Sequence, residues 1–262
     1  MKIHAGYHRS NERLFFSSMN FKSFEATGDA SFETSAVRLY HELQKEILSG
    51  KLPPGTRLVR RELGKRFELS QSTVSEALWR LESDGLVESA PMYGTRVCHM
   101  TMDRVRNELV LREALECEVA RLVTETLLPK HEQPLLDLAA SVDEAMREGS
   151  PVTPDDGMDT HRAFHMELVK ITGYELLVRE VDLIWRRHFV LFNWISAHVL
   201  PVPANWHRTL LTEIFSRDPD RAERAMRAHV RYGKSQQLKV LAEVNRLSSH
   251  EESAFPGTPS SR

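Results

Sequence analysis

Four histidines in the second half of the chain have the spacing of a buried ligand cluster: His161, His165, His207 and His229. The first two are four residues apart, so on a helix they lie one turn apart on one face. The other two recur with apolar residues at helical spacing, namely Leu210, Leu211 and Ile214 for His207, and Ala222, Ala225 and Met226 for His229. Buried imidazoles are costly without a shared partner. A divalent cation is an economical partner, because imidazole suits zinc, nickel, copper or iron.

Other interpretations compete for these histidines. A single histidine on an apolar face is more often a hydrogen-bonded core residue than a ligand, and that alternative stays open for each of the four. A metalloprotease is disfavoured, because its general base is a glutamate directly after the first histidine, where this chain has Arg162. Serine hydrolysis finds no support, since the chain has no GxSxG nucleophile motif.

The histidines belong to a region whose pattern is helical throughout, residues 100–248. Apolar residues recur at helical spacing in six segments, predicted at about 102–127, 131–147, 158–172, 174–198, 204–216 and 219–248. On the first of these helices the predicted inward face consists of Val110, Leu111, Ala114, Leu115, Val119 and Leu122. Six helices over this length predict an antiparallel bundle.

A second functional element is predicted at residues 70–94. A polar leading edge, Ser70 to Thr73, opens an amphipathic helix whose apolar face is Val74, Ala77, Leu78 and Leu81. Two short β-type runs follow, joined by a turn that contains Pro91 and Gly94. With helices predicted upstream at 33–49 and 60–67, the order is that of a winged helix-turn-helix, which places a helix in a DNA groove. The alternative is an ordinary surface helix and hairpin in an α+β domain.

Composition offers little bulk attraction to nucleic acid. The 262 residues carry a formal net charge of −2, and residues 33–100 hold ten Lys or Arg against nine Asp or Glu. Any DNA contact therefore depends on the placement of a few cations. Cys98 and Cys117 form no CxxC motif, which indicates neither a disulfide framework nor a thiolate zinc site. Since no apolar run approaches the roughly 18 residues of a membrane span, and no signal peptide is evident, we expect a cytoplasmic protein.

These patterns predict a mainly α fold with four regions. Residues 1–32 are polar and aperiodic and are expected to be a disordered leader, in which Met19 could serve as an alternative start. Residues 33–99 form the winged helix-turn-helix domain, and residues 100–248 form the helical domain. Residues 249–262 are rich in Ser, Pro and Glu and are expected to be a disordered tail.

Residues 34–97 resemble the DNA-binding domain of the GntR family of bacterial transcription regulators. The marks are the ILSGKLPPGTRL segment, the Arg61-Glu62-Leu63 triplet, the ALWRLESDGLVE helix and Gly94 at the wing tip. The resemblance implies that DNA is faced by Arg61, Ser70, Gln71, Ser72, Thr73, Tyr93 and Gly94, and Arg96 is a candidate phosphate contact. The chain departs from the family at Gln71 and Ser75, where arginines are usual. Gln71 could instead pair with an adenine edge.

Residues 101–248 resemble the FCD effector domain of the FadR subgroup, in its VanR-like branch. The family motifs read here as HRAFH at 161–165, HRTL at 207–210 and AMRAH at 225–229. The resemblance implies that His161, His165, His207 and His229 bind one divalent metal, most often zinc, with nickel, iron or manganese as alternatives. His161 replaces the usual aspartate, and a neutral ligand there leaves more positive charge on the metal.

Such domains bind a small metabolite, commonly an organic acid, beside the metal. Arg112 matches a family arginine that faces this pocket, and its ordinary alternative is a helical pair with Glu116. The resemblance implies a metabolite-responsive regulator, usually a repressor, that acts as a homodimer on a roughly palindromic operator in double-stranded DNA. Two rivals remain: a metal sensor whose cation is itself the signal, and a metal-dependent enzyme, which the lack of a nearby base disfavours.

Overall fold

The computed structural model describes residues 34–147, 150, 154–195 and 202–253. The predicted leader and the last nine residues of the predicted tail lie outside the described residues. The chain order is α1 (Ser35–Leu48), β1 (Arg57–Leu58), α2 (Arg60–Phe67), α3 (Gln71–Ser83), β2 (Val87–Ala90), β3 (Gly94–Val97), α4 (Met102–Thr126), α5 (Pro129–Ala145), α6 (Pro154–Ile171), α7 (Glu175–Ile195), α8 (Trp206–Phe215) and α9 (Pro219–Ser253). The fold is mainly α, as predicted.

Side-chain hydroxyls set the starts of the N-terminal helices. Thr34 Oγ1 accepts the amide of Val37 at 3.3 Å and begins α1. Ser70 Oγ accepts the amide of Thr73 at 3.2 Å and begins α3. Each bond satisfies one of the amides that a helix leaves unpaired at its start. The two helices and α2 then close around one apolar core, which includes Leu39, Leu43, Ile47, Leu63, Val74, Leu78 and Leu81.

The wing is a three-stranded antiparallel sheet in the order β1-β3-β2. In the hairpin, Val87 pairs with Val97 and Ala90 pairs with Gly94. Strand β1 joins the other side of β3, where Arg57 pairs with Arg96. The hairpin was predicted, but β1 was not, because two residues are too short for a period-2 pattern to be visible.

Six helices, α4 to α9, form the C-terminal bundle. Long α4 packs along α9, and α5 packs against α6 and α8. Three large aromatic side chains fill the centre: Phe164, Trp185 and Phe189. Helix α9 continues to Ser253, so the predicted end near residue 248 was too early. None of the described helices combines the length and apolar content that crossing a bilayer requires.

The predicted inward face of α4 is wrong in its first half. Val110 and Leu111 are 57% and 46% exposed, and Ala114 is exposed as well. The buried side of this stretch instead carries Arg112 and Glu116, which pair with each other inside the bundle. Hydrophobic periodicity fails here because the inner face of the helix serves a polar site.

Candidate functional site

The four predicted histidines converge from three helices. His161 and His165 project from α6, His207 from the first turn of α8, and His229 from the middle of α9. All four side chains are buried, and one nitrogen of each lies within 4.8 Å of those of the others. The sequence therefore identified residues that the fold brings together across about seventy residues of chain.

The ring nitrogens of this cluster leave room for a shared ligand. His161 Nε2 and His165 Nε2 are 3.1 Å apart, a spacing that suits two nitrogens each about 2.0–2.1 Å from one ion. Among the described residues, His207 Nε2 and both ring nitrogens of His229 have no hydrogen-bond partner. Buried polar atoms without partners are costly, and four lone pairs aimed inward are the donor set of a divalent cation. The four histidines are therefore suited to bind one divalent metal ion.

Two carboxylates contact the Nδ1 atoms of two of the histidines, His165 and His207, and so orient their rings. His165 Nδ1 lies 3.2 Å from Glu116 Oε2, and His207 Nδ1 lies 3.0 Å from Asp143 Oδ1. Each contact favours a proton on Nδ1, which leaves the lone pair on Nε2 for a ligand. Neither carboxylate was predicted as part of a site. The available signal was Asp143 itself, an acid at the position that continues the apolar stripe of α5.

Glu116 is the hub of a buried polar network. Its Oε1 accepts Arg112 Nε at 3.0 Å and the indole Nε1–H of Trp185 at 2.8 Å. Burial raises the pKa of Glu116, but the Arg112 guanidinium and His165 lower it by a larger amount. The net pKa therefore lies below its ordinary value. Glu116 therefore stays ionised and contacts one of the four histidines, His165, together with Arg112 and Trp185.

Asp143 fixes His207 and the start of α8 together. Its Oδ1 also accepts the backbone amide of His207 at 2.9 Å, and its Oδ2 accepts the amide of Arg208 at 3.3 Å. These are amides at the beginning of α8, which Asn205 leaves without a side-chain cap. Asp143 of α5 thus acts as a cap supplied by another helix, and the position of α8 sets the position of the ring.

The histidines are held in the neutral form that binds metal. Burial lowers the pKa of His161 and His229 well below the ordinary value of a histidine. It also lowers the pKa of His207 to about 4, although hydrogen bonding to Asp143 opposes the shift. At neutral pH each ring therefore offers a lone pair without first losing a proton.

A narrow cavity adjoins the cluster. It is lined by Arg112, Met146, Met158, His161, His188, Val202, Trp206, His229, Val230, Gly233, Gln236 and Gln237. Its polar end is formed by His188, whose Nε2 lies 3.3 Å from Arg112 Nη1 and 3.0 Å from Gln237 Nε2. Arg112 therefore both pairs with Glu116 and reaches the cavity. The cavity encloses about 20 Å³, which is room for about one water molecule.

The predicted DNA-facing residues lie on the surface of the N-terminal domain. Arg61 is exposed in the first turn of α2, and no ion-pair partner is found for it among the described residues. Ser70 is exposed, but its hydroxyl is occupied as the cap of α3 and lies 2.8 Å from the hydroxyls of both Ser72 and Thr73. Ser72 is exposed and Thr73 partly so.

Gln71 is turned toward α2. Its Nε2 is 3.5 Å from the carbonyl of Arg60. Beside it lies a cleft with three arginines, Arg57, Arg60 and Arg61, closed on the far side by Gly94 of the wing. Of the predicted DNA-facing residues, Arg61, Gln71 and Gly94 line this cleft. Its three arginines make it a basic surface of the kind that contacts backbone phosphates.

The wing carries its own features. Tyr93 is 74% exposed and Met92 is fully exposed at the tip, while Arg57 Nη2 donates to the carbonyl of Tyr93 at 3.3 Å. Gly94 has φ +78°, a conformation that favours glycine. Arg96 is exposed but bonds to Glu88 on the neighbouring strand at 2.7 Å, so its guanidinium already has an anionic partner.

Comparison with known proteins covers both halves of the chain. Residues 35–97 match the gntR family of bacterial regulatory proteins, and residues 108–232 match the FCD domain. The HTH-type transcriptional repressor RspR of Escherichia coli (strain K12) is 27% identical over 201 residues, 74% of this chain and 84% of RspR.

Solved structures share the fold. The structure of E. coli McbR/YncC covers 83% of this chain and 100% of its own at a TM-score of 0.62 and 18% identity. A putative transcriptional regulator GntR from Rhodococcus sp. RHA1 covers 78% of this chain and 97% of its own at a TM-score of 0.63 and 19% identity. At these identities the likeness shows the fold alone.

Proposed function

Because this chain belongs to the GntR family of transcriptional regulators and carries an FCD domain, we propose that it is a repressor controlled by a metal-bound organic acid. The matched domains and relatives are transcriptional regulators and not enzymes. The single observation that carries the proposal is the buried cluster of four histidines whose ligand nitrogens lie within 4.8 Å of one another.

The N-terminal domain is the output. Residues 34–99 hold the helices and the wing, and the exposed arginines of the α2–wing cleft would contact the phosphate backbone of an operator. Residues at the start of α3 and at the wing tip would then reach the grooves. Repression is supported by RspR, which is named a repressor, and the proposal places the protein in the bacterial cytoplasm, where operator DNA lies.

The histidine cluster is the input, within the domain that spans residues 100–253. His161, His165, His207 and His229 would hold a divalent metal, with zinc the first choice for imidazole ligands. By expanding to five ligands, the cation could take a carboxylate oxygen of the effector as a Lewis acid. The chain's own part is to present neutral rings and hold them through Glu116 and Asp143.

Arg112 is the proposed anchor for the effector. Its guanidinium packs 4.1 Å from the Trp185 ring and reaches the cavity, where a carboxylate could replace part of its contact with His188. The cavity of about 20 Å³ must widen to admit an organic acid. Binding therefore favours a state with a different arrangement of the cavity walls, which is the requirement for a ligand to shift a conformational equilibrium.

We further propose a homodimer, which a palindromic operator requires. The exposed apolar strip of α4, formed by Val110, Leu111 and Ala114, supports this. Paired large apolar side chains on a surface helix are typical of protein interfaces.

The size of the cavity also favours a second candidate function, a metal sensor. If the cation alone is the signal, no larger molecule needs to enter. Addition of zinc without any acid would then change the affinity for DNA, whereas the first proposal expects an organic acid to be needed.

Metal analysis of the purified protein tests the input. We expect about one equivalent of metal in the wild type, loss of it in His207→Ala, and no loss in His99→Ala, whose exposed side chain lies outside the cluster. Equal metal content in the wild type and His207→Ala would refute the four-ligand site.

A further inference from the structure

Within one turn of helix α7, side chains on two different faces contact two different parts of the protein. Trp185 and His188 point to the histidine site, where the Trp185 ring lies 4.9 Å from the rings of both His161 and His165. The two residues between them, Arg186 and Arg187, point the other way and contact the N-terminal domain. One turn of helix thus separates the proposed input from the proposed output.

Arginines of the C-terminal bundle cap the end of α3. Arg187 Nε donates to the carbonyl of Asp84 at 2.7 Å, and Arg104 Nη2 of α4 donates to the carbonyl of Gly85 at 2.5 Å. Carbonyls at a helix C-terminus lack partners within the helix and carry partial negative charge. Gly85 has φ +72°, and a Cβ atom there would lie 2.9 Å from Arg187 Nε. The end of α3 is therefore shaped to fit this contact.

Tyr40 joins three helices at the same junction. Its hydroxyl donates to Asp84 Oδ2 at 2.5 Å and accepts from Arg186 Nη1 at 3.1 Å. Gln44, one turn further along α1, also donates to it at 2.7 Å. Arg186 therefore touches both α1 and, through Tyr40, the cap of the proposed recognition helix.

From Arg186 the contacts continue to the helix that carries two of the histidines. Arg186 Nη2 bonds to Asp182 Oδ2 at 2.5 Å, one turn back along α7. The other oxygen of Asp182 bonds to Arg162 of α6. Arg162 directly follows His161 and is only 8% exposed. Arg186 Nη1 also lies 3.9 Å from Asp84 Oδ2. Charges therefore alternate along the series Arg162, Asp182, Arg186, Asp84, which we name the ion chain.

We infer that the ion chain couples the histidine site to the recognition helix, so that α6, α7 and the end of α3 move as one unit. This inference rests on the proposed function. Every side chain in the ion chain is at least three-quarters buried, so pulling one link apart separates charges that have largely lost contact with water, which is costly. Helix α3 has 13 residues and is about 20 Å long. A tilt at its capped end therefore displaces its DNA-facing start.

The test uses the full-length protein with zinc as the probe. Hydrogen exchange of backbone amides in residues 80–90 is measured by mass spectrometry with and without zinc, in the wild type and in Asp182→Asn. We expect zinc to change exchange at the end of α3 in the wild type and to lose that effect in the variant, with equal zinc content in both. Glu180→Gln is the matched control, because it removes one charge from the exposed side of α7 and should respond like the wild type.

A second variant guards against misfolding of the first. Arg162→Met cuts the chain one link earlier and leaves Asp182 paired with Arg186, and it should lose the response in the same way. A zinc response in both variants that equals the wild-type response would overturn the ion chain while leaving the metal site intact. If the wild type takes up no zinc, the metal content shows it directly, and the proposed input fails together with this inference.

Discussion

The histidine site and the proposed DNA-facing surface are organised in opposite ways. In the first, every ring is buried, and carboxylates from two other helices fix two of the four. On the second, Arg61, Gln71 and Tyr93 are exposed, and several polar groups are bonded only to local neighbours. The geometry of the buried site is thus set by the chain itself. The DNA-facing surface needs a binding partner to complete its contacts. Substitutions in the histidine site should therefore change stability and metal binding, whereas substitutions on the surface should change DNA binding.

The largest expected effect is on the stability of the metal-free protein in acid. His207 has a folded pKa of about 4 against about 6.5 in an unfolded chain. Between these values the unfolded state binds a proton that the folded state does not, so stability falls as the pH falls from 6.5 to 4. His207 alone accounts for about 3 kcal/mol of this loss, and the other buried rings add to it.

Urea unfolding in the presence of a chelator, at pH 7 and at pH 4.5, measures this loss. The DNA-facing surface, as far as the structure describes it, contains no buried histidine. Variants of DNA-contact residues should therefore lose as much free energy of unfolding between pH 7 and pH 4.5 as the wild type does. A free energy of unfolding that is flat over this interval would contradict the buried, neutral state of the cluster.

The next effect concerns the support behind one ring. Asp143→Asn turns one of the two accepting oxygens into a donor and removes the negative charge beside His207, so the ring and the start of α8 lose part of their support. We expect zinc affinity to fall about 10- to 100-fold, as is usual when a carboxylate partner of a ligand histidine is lost. Competition with a chromophoric chelator measures it.

Asp137→Asn is the control for this variant, since Asp137 lies on the same helix with an exposed side chain. Unchanged zinc affinity in Asp143→Asn would mean that the rings are held by packing alone.

A smaller effect is expected on the surface. Arg61→Ala should weaken binding to DNA from upstream of the protein's own gene and should reduce the dependence of log K on log salt by about one unit. Fluorescence anisotropy over a range of salt concentrations gives both values. Metal content should not change. Arg179→Ala, on α7 and 74% exposed at the side chain, serves as the control, and an undiminished affinity in Arg61→Ala would remove Arg61 from the interface.

The smallest effect concerns the wing. Glu88→Gln frees Arg96 from an ion pair whose two side chains are each more than 40% exposed. Exposed pairs contribute at most about 1 kcal/mol, so the melting temperature should barely move. Affinity for DNA should rise slightly if Arg96 then meets a phosphate. A lower affinity would show that the pair itself positions the wing.

The sequence predicted the histidine cluster because ligand spacing leaves a local trace. Two histidines four residues apart and two others on apolar stripes are visible without any tertiary information. Their supports, Glu116 and Asp143, come from α4 and α5, and only packing of the helices shows which ring each one meets. One-dimensional periodicity cannot provide that partner.

The same limit explains the error on α4. Periodicity placed Val110 and Leu111 inside because apolar residues are usually buried. The fold instead turns Arg112 and Glu116 inward, where they pair with each other and Glu116 also accepts from the Trp185 indole. A buried polar network reverses the ordinary pattern, and it does so at the site where function is proposed.

The narrowness of the cavity has a kinetic consequence. Under the proposed function, an effector larger than water would enter only while the walls stand apart, so its association rate would be scaled down by that fraction of time. The same closure would slow its escape. Such a regulator would respond with a delay and would keep its bound state after the surrounding concentration had dropped.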